Sequence, residues 1–330
     1  MSMDASAAHS STARPCVRCH SPCELEDIRC PVCAVALAVN EAHVAEPRAQ
    51  ILRCEDCGAA LKYSAEQQGV KCAFCGSKLK LETPADPVEQ AKFAVPFQVS
   101  PQQAQSVLHQ WLGKQGFFTP SDLQGSSQLE SLRPLWWAAW LVDARTLVSW
   151  TADSDAGSGR SDWAPHGGQT AMTFERLVVS ASRGLTYEET SRLTAHTNIA
   201  GAQLGYSDQS GVTIEQFDAQ RSAARKMVVS AIEATAAGQI QAGVIPGSRF
   251  RKVHVAVLLE GLTTRRFLLP AYVLAYRYEG KLYRAIVHGQ DAGCVFGSVP
   301  RSIWKILLVV LGVLALIGII LAVVGVATAR

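Results

Sequence analysis

The amino-acid sequence predicts an α+β fold, preceded by two cysteine-built modules and followed by a single apolar helix. Three observations carry this reading. Eight of the ten cysteines fall into four C-x-x-C pairs, all before Gly76. The middle of the chain alternates strand-like apolar runs with two stretches of helical periodicity. The run from Ile306 to Ala329 holds no charged residue.

Composition bounds the alternatives. Hydrophobic residues make up 48% and charged residues 18% of 330 residues, the latter against a usual ~25%. The length allows two or three domains at roughly 100–200 residues each. A net charge of +3 does not describe a protein built to coat nucleic acid. Met1 to Pro15 is rich in Ser and Ala and has no apolar core of ~7–15 residues. Residues 1–13 therefore read as a disordered tail rather than a secretory leader.

The first module spans 14–48. Cys16-Val-Arg-Cys19 is followed, ten residues on, by Cys30-Pro-Val-Cys33. Such pairing in a chain of this size reads as metal binding before it reads as a disulfide framework. No glycine follows either pair, and His20 and Cys23 lie between them as spare donors. The expected ligands are Cys16, Cys19, Cys30 and Cys33, with Cys23 or His20 exchanged for one of them as the alternative.

The second module spans 49–83. Cys54-Glu-Asp-Cys57-Gly58 and Cys72-Ala-Phe-Cys75-Gly76 are separated by 14 residues. The expected ligands are Cys54, Cys57, Cys72 and Cys75. Each glycine suits a tight knuckle whose N–H groups face sulfur. Ala60–Tyr63 and Gly69–Lys71 read as a hairpin, with Lys78–Leu81 as a third strand. This is a zinc-ribbon pattern. Four thiolates complete a tetrahedral Zn²⁺ and leave no open position, so two structural ions are expected and hydrolysis at the metal is not. The ions would supply folding energy to segments too short for a core of their own. From Gln50 to Glu82 five basic residues (Arg53, Lys62, Lys71, Lys78, Lys80) face four acidic ones, and from Arg14 to Val35 the balance is three to three. Neither module carries the basic stripe that phosphate binding wants, which favours a protein-docking or spacer role.

Pro84, Pro87 and Pro96 mark 84–100 as a linker into an α+β domain over 101–300. Ser100-Pro101 is a helix start, cap then N1 proline. The helix is expected to run to about Leu112 and to bury Ala104, Val107, Leu108 and Trp111. Pro134-Leu-Trp136-Trp-Ala-Ala-Trp140 and Pro270-Ala-Tyr272-Val-Leu-Ala-Tyr276 share one pattern. They predict two equivalent strands, continuing to Trp150 and Tyr278, with aromatic rings on one face as core. Ala152 to Gln169 reads as a mobile loop whose Asp153, Asp155, Asp162 and His166 are solvated charge rather than a metal site. Thr213-x-x-Gln216 reads as a capping box. It would open a helix over Phe217, Ala224, Val228, Ala231 and Ile232, ended by Gly238. Val253–Leu259, Arg266–Tyr278 and Leu282–Val287 are strand candidates, the last two joined at Glu279-Gly280-Lys281. A central antiparallel sheet with at least two helices follows.

The C-terminal helix is expected over 303–328. At 1.5 Å per residue, ~22 residues span ~33 Å, enough for a ~30 Å hydrocarbon core. Arg301 and Lys305 flank its start with Trp304 between them, which places the large domain on the cytoplasmic side. The lipid bilayer is thus one partner. Gly318 and Ala322 are ordinary small residues of a membrane helix, with a homodimer face as the alternative.

Leu269-Pro-Ala-Tyr272, Tyr276, Tyr278, Gly280-Lys-Leu-Tyr283 and Val287-His-Gly289-Gln290 resemble an uncharacterised bacterial family of zinc-ribbon membrane proteins. That family is often labelled TFIIB-type zinc ribbon or primosomal helicase-like. The resemblance spans most of Arg53 to Lys305. His288 stands where the family has Asn, Asp291-Ala292 interrupts its Thr-Gly, and the N-terminal cysteine module is extra. The likeness implies a fold and a membrane location, and no established activity. A helicase is excluded on chemistry, since no G-x-x-x-x-G-K-[ST] loop is present to cradle ATP phosphates.

The chain is therefore expected not to be an enzyme. The one constellation weighed, Cys294 with His288 and Asp291, lies within one short stretch, whereas most triads draw on distant segments. The function expected is a tail-anchored, single-pass adaptor or scaffold docking an unidentified protein at the inner membrane. A membrane-tethered nucleic-acid-binding protein using Lys71, Lys78 and Lys80 is the alternative.

Overall fold

The computed structural model describes residues 14–24, 27–38, 50–63, 71–84, 89–157, 162–206, 211–217, 222 and 225–328. The expected tail over 1–13, Gly69-Val70 of the expected hairpin and Ala224 lie outside them. So does the side chain of Ala322, and with it the proposed dimer face.

The chain is α+β with a large, mainly antiparallel sheet. Its strands and helices in order are β1 (Arg14–Pro15), β2 (Pro22–Cys23), β3 (Ile51–Cys54), β4 (Ala60–Lys62), β5 (Leu79–Glu82) and β6 (Phe93–Ala94). There follow α1 (Pro101–Gly113), α2 (Leu123–Ser126), β7 (Gln128–Ser154), β8 (Ala164–Ser180), α3 (Tyr187–Ala195), β9 (Gln203–Leu204) and β10 (Thr213–Ile214). The last are α4 (Arg225–Gly243), β11 (Phe250–Tyr278), β12 (Lys281–His288), β13 (Val295–Gly297) and α5 (Ile303–Thr328).

The two proline–aromatic strands are neighbours. β7 and β11 pair antiparallel, with Pro134 opposite Tyr272 and Trp136 opposite Pro270. The two copies of the pattern thus face each other about a local two-fold. Directly opposed residues share a face, and the Phe97 ring packs against both Trp136 (5.9 Å) and Tyr272 (5.1 Å). β11 is one strand where two were expected. Register shifts at Arg251/His254, Leu259/Gly261 and Ala275/Tyr276 let it bend along its length. Glu279 and Gly280 both have positive φ, 47° and 76°. That is the two-residue turn whose twist matches a hairpin, and it aligns Tyr278 with Lys281.

Two expectations are corrected. Thr213 to Phe217 does not cap a helix. Thr213–Ile214 pairs parallel with Leu135–Trp136, and the N–H groups of Glu215 and Gln216 donate to Trp136 O (2.9 Å) and Ala60 O (2.8 Å). Sheet pairing takes the backbone groups that a cap would have used. α4 runs from Arg225 through Gly238 to Gly243 and buries Val228, Ile232, Ala236 and Ile240 at fourfold spacing. That apolar stripe outweighs the ~1 kcal/mol that a mid-helix glycine costs. Residues 152–169 are mostly not loop either, because β7 and β8 extend into them and pair Asp153 with Pro165. Asp153 bonds Arg251 (3.1 Å), Asp155 bonds Ser248 and Arg249, and His166 meets Ser154 Oγ (3.0 Å). These carboxylates tie strand ends together.

α1 begins with a full capping box, Ser100 with Gln103, and buries Ala104, Leu108 and Leu112. Val107 and Trp111 are half-buried at the edge of the same cluster. α1 covers the sheet around Tyr272 and Tyr276, and α4 covers it around Trp140 and Val148. None of Ile303–Leu321 of α5 is buried, and the helix is long and apolar enough to cross a membrane.

Candidate metal centres

Four turns of one design build two groups of four cysteines. At each C-x-x-C pair, the first cysteine donates its N–H to the carbonyl five residues on and accepts from the N–H four residues on. The pairs are Cys16 N–Ser21 O with His20 N–Cys16 O, Cys30 N–Val35 O with Ala34 N–Cys30 O, Cys54 N–Ala59 O with Gly58 N–Cys54 O, and Cys72 N–Ser77 O with Gly76 N–Cys72 O. The fifth residue of each turn has positive φ: His20 57°, Ala34 61°, Gly58 75°, Gly76 80°. The first module therefore makes the same knuckles without glycine. His20 holds a turn position rather than a ligand position. Aligning the four pairs on their first cysteine would have shown this from the sequence.

The left-handed region disfavours a Cβ by ~1–2 kcal/mol. Gly58→Ala and Gly76→Ala are each expected to lose about 1 kcal/mol of stability in urea unfolding, and His20→Gly and Ala34→Gly to gain a few tenths to ~1. Both glycines have room for a methyl group, with nothing closer than 3.8 Å, so backbone conformation alone is under test. Equal signs for all four variants would contradict it.

The turns bring Cys16, Cys19, Cys30 and Cys33 together, and separately Cys54, Cys57, Cys72 and Cys75, with all four sulfurs of each group within 4.8 Å of one another. Sγ separations are 3.5 Å (Cys16–Cys33), 3.6 Å (Cys19–Cys30), 3.4 Å (Cys54–Cys75) and 3.7 Å (Cys57–Cys72). A tetrahedral ion with ~2.3 Å metal–sulfur bonds needs edges of about 3.8 Å. All eight thiols are free of disulfides. Cys23 is buried outside the group, its thiol donating to Ser21 O (3.5 Å).

Neighbouring thiols, backbone donors and burial set the thiols of each group at different ionisations. The Cys57 thiol pulls Cys72 down to about 5 and is itself pushed far up by it. The Cys19 N–H draws Cys16 down to about 6, while burial lifts Cys30 to about 11 and Cys33 to about 12. Only a bound cation lets all four carry charge together.

Each group plugs one face of the central sheet. Phe74, between Cys72 and Cys75, is buried in one cluster with Leu135, Trp137, Ala139 and Leu269. A Cβ on Gly184 would collide with its ring. Val32, between Cys30 and Cys33, is buried with Ala138, Trp140 and Val142 on the other face. Arg225 Nε donates to Val32 O at 2.6 Å. In the second module β3 is the central strand between β4 and β5, which the sequence reading missed; of its expected Gly69–Lys71 strand, Lys71 is described and lies outside any strand.

A buried ion network fastens the first module. Arg266 Nε meets Glu89 Oε2 at 2.8 Å, and Arg266 Nη2 meets Glu24 Oε2 at 2.5 Å. Trp140 Nε1 adds a 3.4 Å donor to Glu89. Glu89 lies in the proline-marked stretch 84–100, and Phe93–Ala94 of that stretch joins the sheet beside Phe267–Leu268. Nothing in composition or spacing connects Glu24, Glu89 and Arg266.

Glu215 is a second buried carboxylate, accepting from Ser182 Oγ (2.8 Å) and Ala138 N (3.2 Å). Burial pushes its pKa up to about 8 against these donors. The folded chain thus keeps a proton that the unfolded chain releases near its ordinary value. This contribution is complete below the unfolded pKa and is lost as pH rises through about 8. Unfolding free energy is expected to decline across that window. Glu215→Gln should flatten the decline, and an unchanged slope would acquit Glu215.

Cys294, His288 and Asp291 do not assemble as nucleophile, base and orienter. The His288 ring accepts at Nδ1 from the N–H of Gln290 (3.0 Å) and Asp291 (3.1 Å), and its Nε2 meets Thr197 Oγ1 (3.1 Å). The Asp291 carboxylate meets His196 Nδ1 (2.7 Å) instead. Burial lowers His288 to about 4 and raises Cys294 to about 11, the opposite of an activated thiolate. Comparison of the chain with protein-family models, curated proteins and solved structures finds no match.

Proposed function

We propose that the chain is a membrane-tethered adaptor, stiffened by two structural zinc ions and offering its sheet platform to a protein partner. The observation that carries this is the docking of a four-cysteine group on each face of one sheet. Zinc is the ion because thiolate-only tetrahedral sites suit it, and a saturated site has no position for a reacting water. α5 is the span. Arg301 and Lys305 at its start support a cytoplasmic platform.

The full chain in detergent tests this. Elemental analysis is expected to give two zinc per chain. Labelled DNA and RNA are expected to leave fluorescence anisotropy unchanged at low and at physiological salt. In membranes, cross-linking is expected to join the chain to a specific protein. Tight nucleic-acid binding that weakens steeply with salt would replace the adaptor reading, with Lys71, Lys78 and Lys80 as its first variants. Arg53 is not among them, since it pairs with Glu82 at 2.8 Å.

A further inference from the structure

The turn between α1 and α2 exposes two large aromatic side chains side by side. Phe117 is 64% and Phe118 46% exposed, their rings edge to face at 5.5 Å. Single exposed apolar residues are ordinary, but this pair is fastened to the base of α5. Ser302 N donates to Phe118 O at 2.7 Å. Lys305 Nζ donates to Thr119 O at 2.8 Å and lies 5.6 Å from the centre of the Phe117 ring. Trp304, one residue away, is 82% exposed and Ile303 75%. Lys114, three residues before Phe117, and Arg301, next to Ser302, are both exposed. The nearby carboxylate, Asp122, is already engaged by Ser126 and Tyr278.

The geometry points to a second membrane contact: the 114–120 turn inserts Phe117 and Phe118 at the headgroup–acyl boundary of the bilayer that α5 enters. This rests on the reading of α5 as a membrane span. Once the first turn of α5 sits at the interface with Trp304 as anchor, the hydrogen bonds from Ser302 and Lys305 hold the two rings at the same depth. Phenylalanine there buries apolar area, and Lys114, Arg301 and Lys305 face lipid phosphates. Two attachment points fix the tilt of the platform, where a lone helix would leave it free. The Tyr278 end of β11, bonded to Asp122 at 2.9 Å, becomes its membrane-proximal end.

The test uses the full chain in vesicles of phosphatidylcholine and phosphatidylglycerol. A photoreactive benzophenone residue replaces Phe117, Leu308 or Leu258, and each variant is checked for an unchanged unfolding midpoint. Leu258 is 62% exposed and lies about 65 Å along β11 from Tyr278 at ~3.3 Å per residue. Lipid adducts at 117 are expected to approach those at 308 and to exceed those at 258 at least ten-fold. Adducts at 308 with none at 117 would keep the span and overturn the second contact. Adducts at 117 with none at 308 would overturn the span, and with it the contact as a second attachment beside α5. Adducts at neither would overturn both.

Discussion

Stripping the metal from the full chain with a strong chelator is expected to unfold far more than the two cysteine modules. Structural zinc in small modules contributes roughly 10–16 kcal/mol of apparent binding energy, comparable with the whole ~5–15 kcal/mol stability of an ordinary domain. Here the modules are not appendages. Phe74 and Val32 fill opposite faces of the sheet beside Trp137 and Trp140. When the thiolates lose their ion, repulsion and desolvation open the knuckles, and both plugs leave. The melting midpoint is expected to fall by on the order of 20 °C, and the eight ligand thiols should become reactive to a thiol reagent. Cys294, 7% exposed and outside both groups, should react only once the sheet itself opens. A chain shown to be metal-free by elemental analysis, yet unchanged in midpoint and thiol reactivity, would end the structural-ion reading.

Replacing Arg266 with methionine is expected to destabilise the chain by about 3–5 kcal/mol, because it leaves the Glu89 carboxylate buried without its cation. The side chains of Arg266 and Glu89 are 4% and 5% exposed, so neither is screened by water. The size of the effect lies in the broken pair, not in the pair's own contribution, and a double variant separates the two. Arg266→Met with Glu89→Gln should recover a substantial part of the loss, with a coupling of ~1–3 kcal/mol. Additive losses would show that the guanidinium acts by packing alone. Glu24 belongs to the first cysteine module, so the single variant should also speed the release of Cys16, Cys19, Cys30 and Cys33 to a thiol reagent. Cys54, Cys57, Cys72 and Cys75 on the other face serve as the internal control.

Local patterns were legible where the physics is local. The cysteine pairs specify their turns because four residues of backbone close each one. The Ser100–Gln103 capping box and the Glu279-Gly280 turn form from near neighbours, and the sequence showed a helix start and a turn at these places. The apolar C-terminal helix is a property of composition alone. The Thr213–Gln216 capping pattern failed because a competing partner, β7, lies far away in sequence. The backbone groups of 213–216 found a sheet edge and β4, and no local pattern contains that edge.

By itself the sequence determined which cysteines stand at metal-ligand spacing, that the architecture is α+β, and that one helix is long and apolar enough to cross a membrane. The left-handed positions of His20 and Ala34 are legible too, once the four pairs are aligned on their first cysteine; the rest was decided by the tertiary structure. It alone set the two four-cysteine groups on opposite faces of one sheet, joined Arg266 to Glu24 and Glu89, and left Phe117 and Phe118 at the base of α5. Each of these depends on which distant strands pair and in what register. A strand's periodicity says which residues share a face; it does not say what that face will meet.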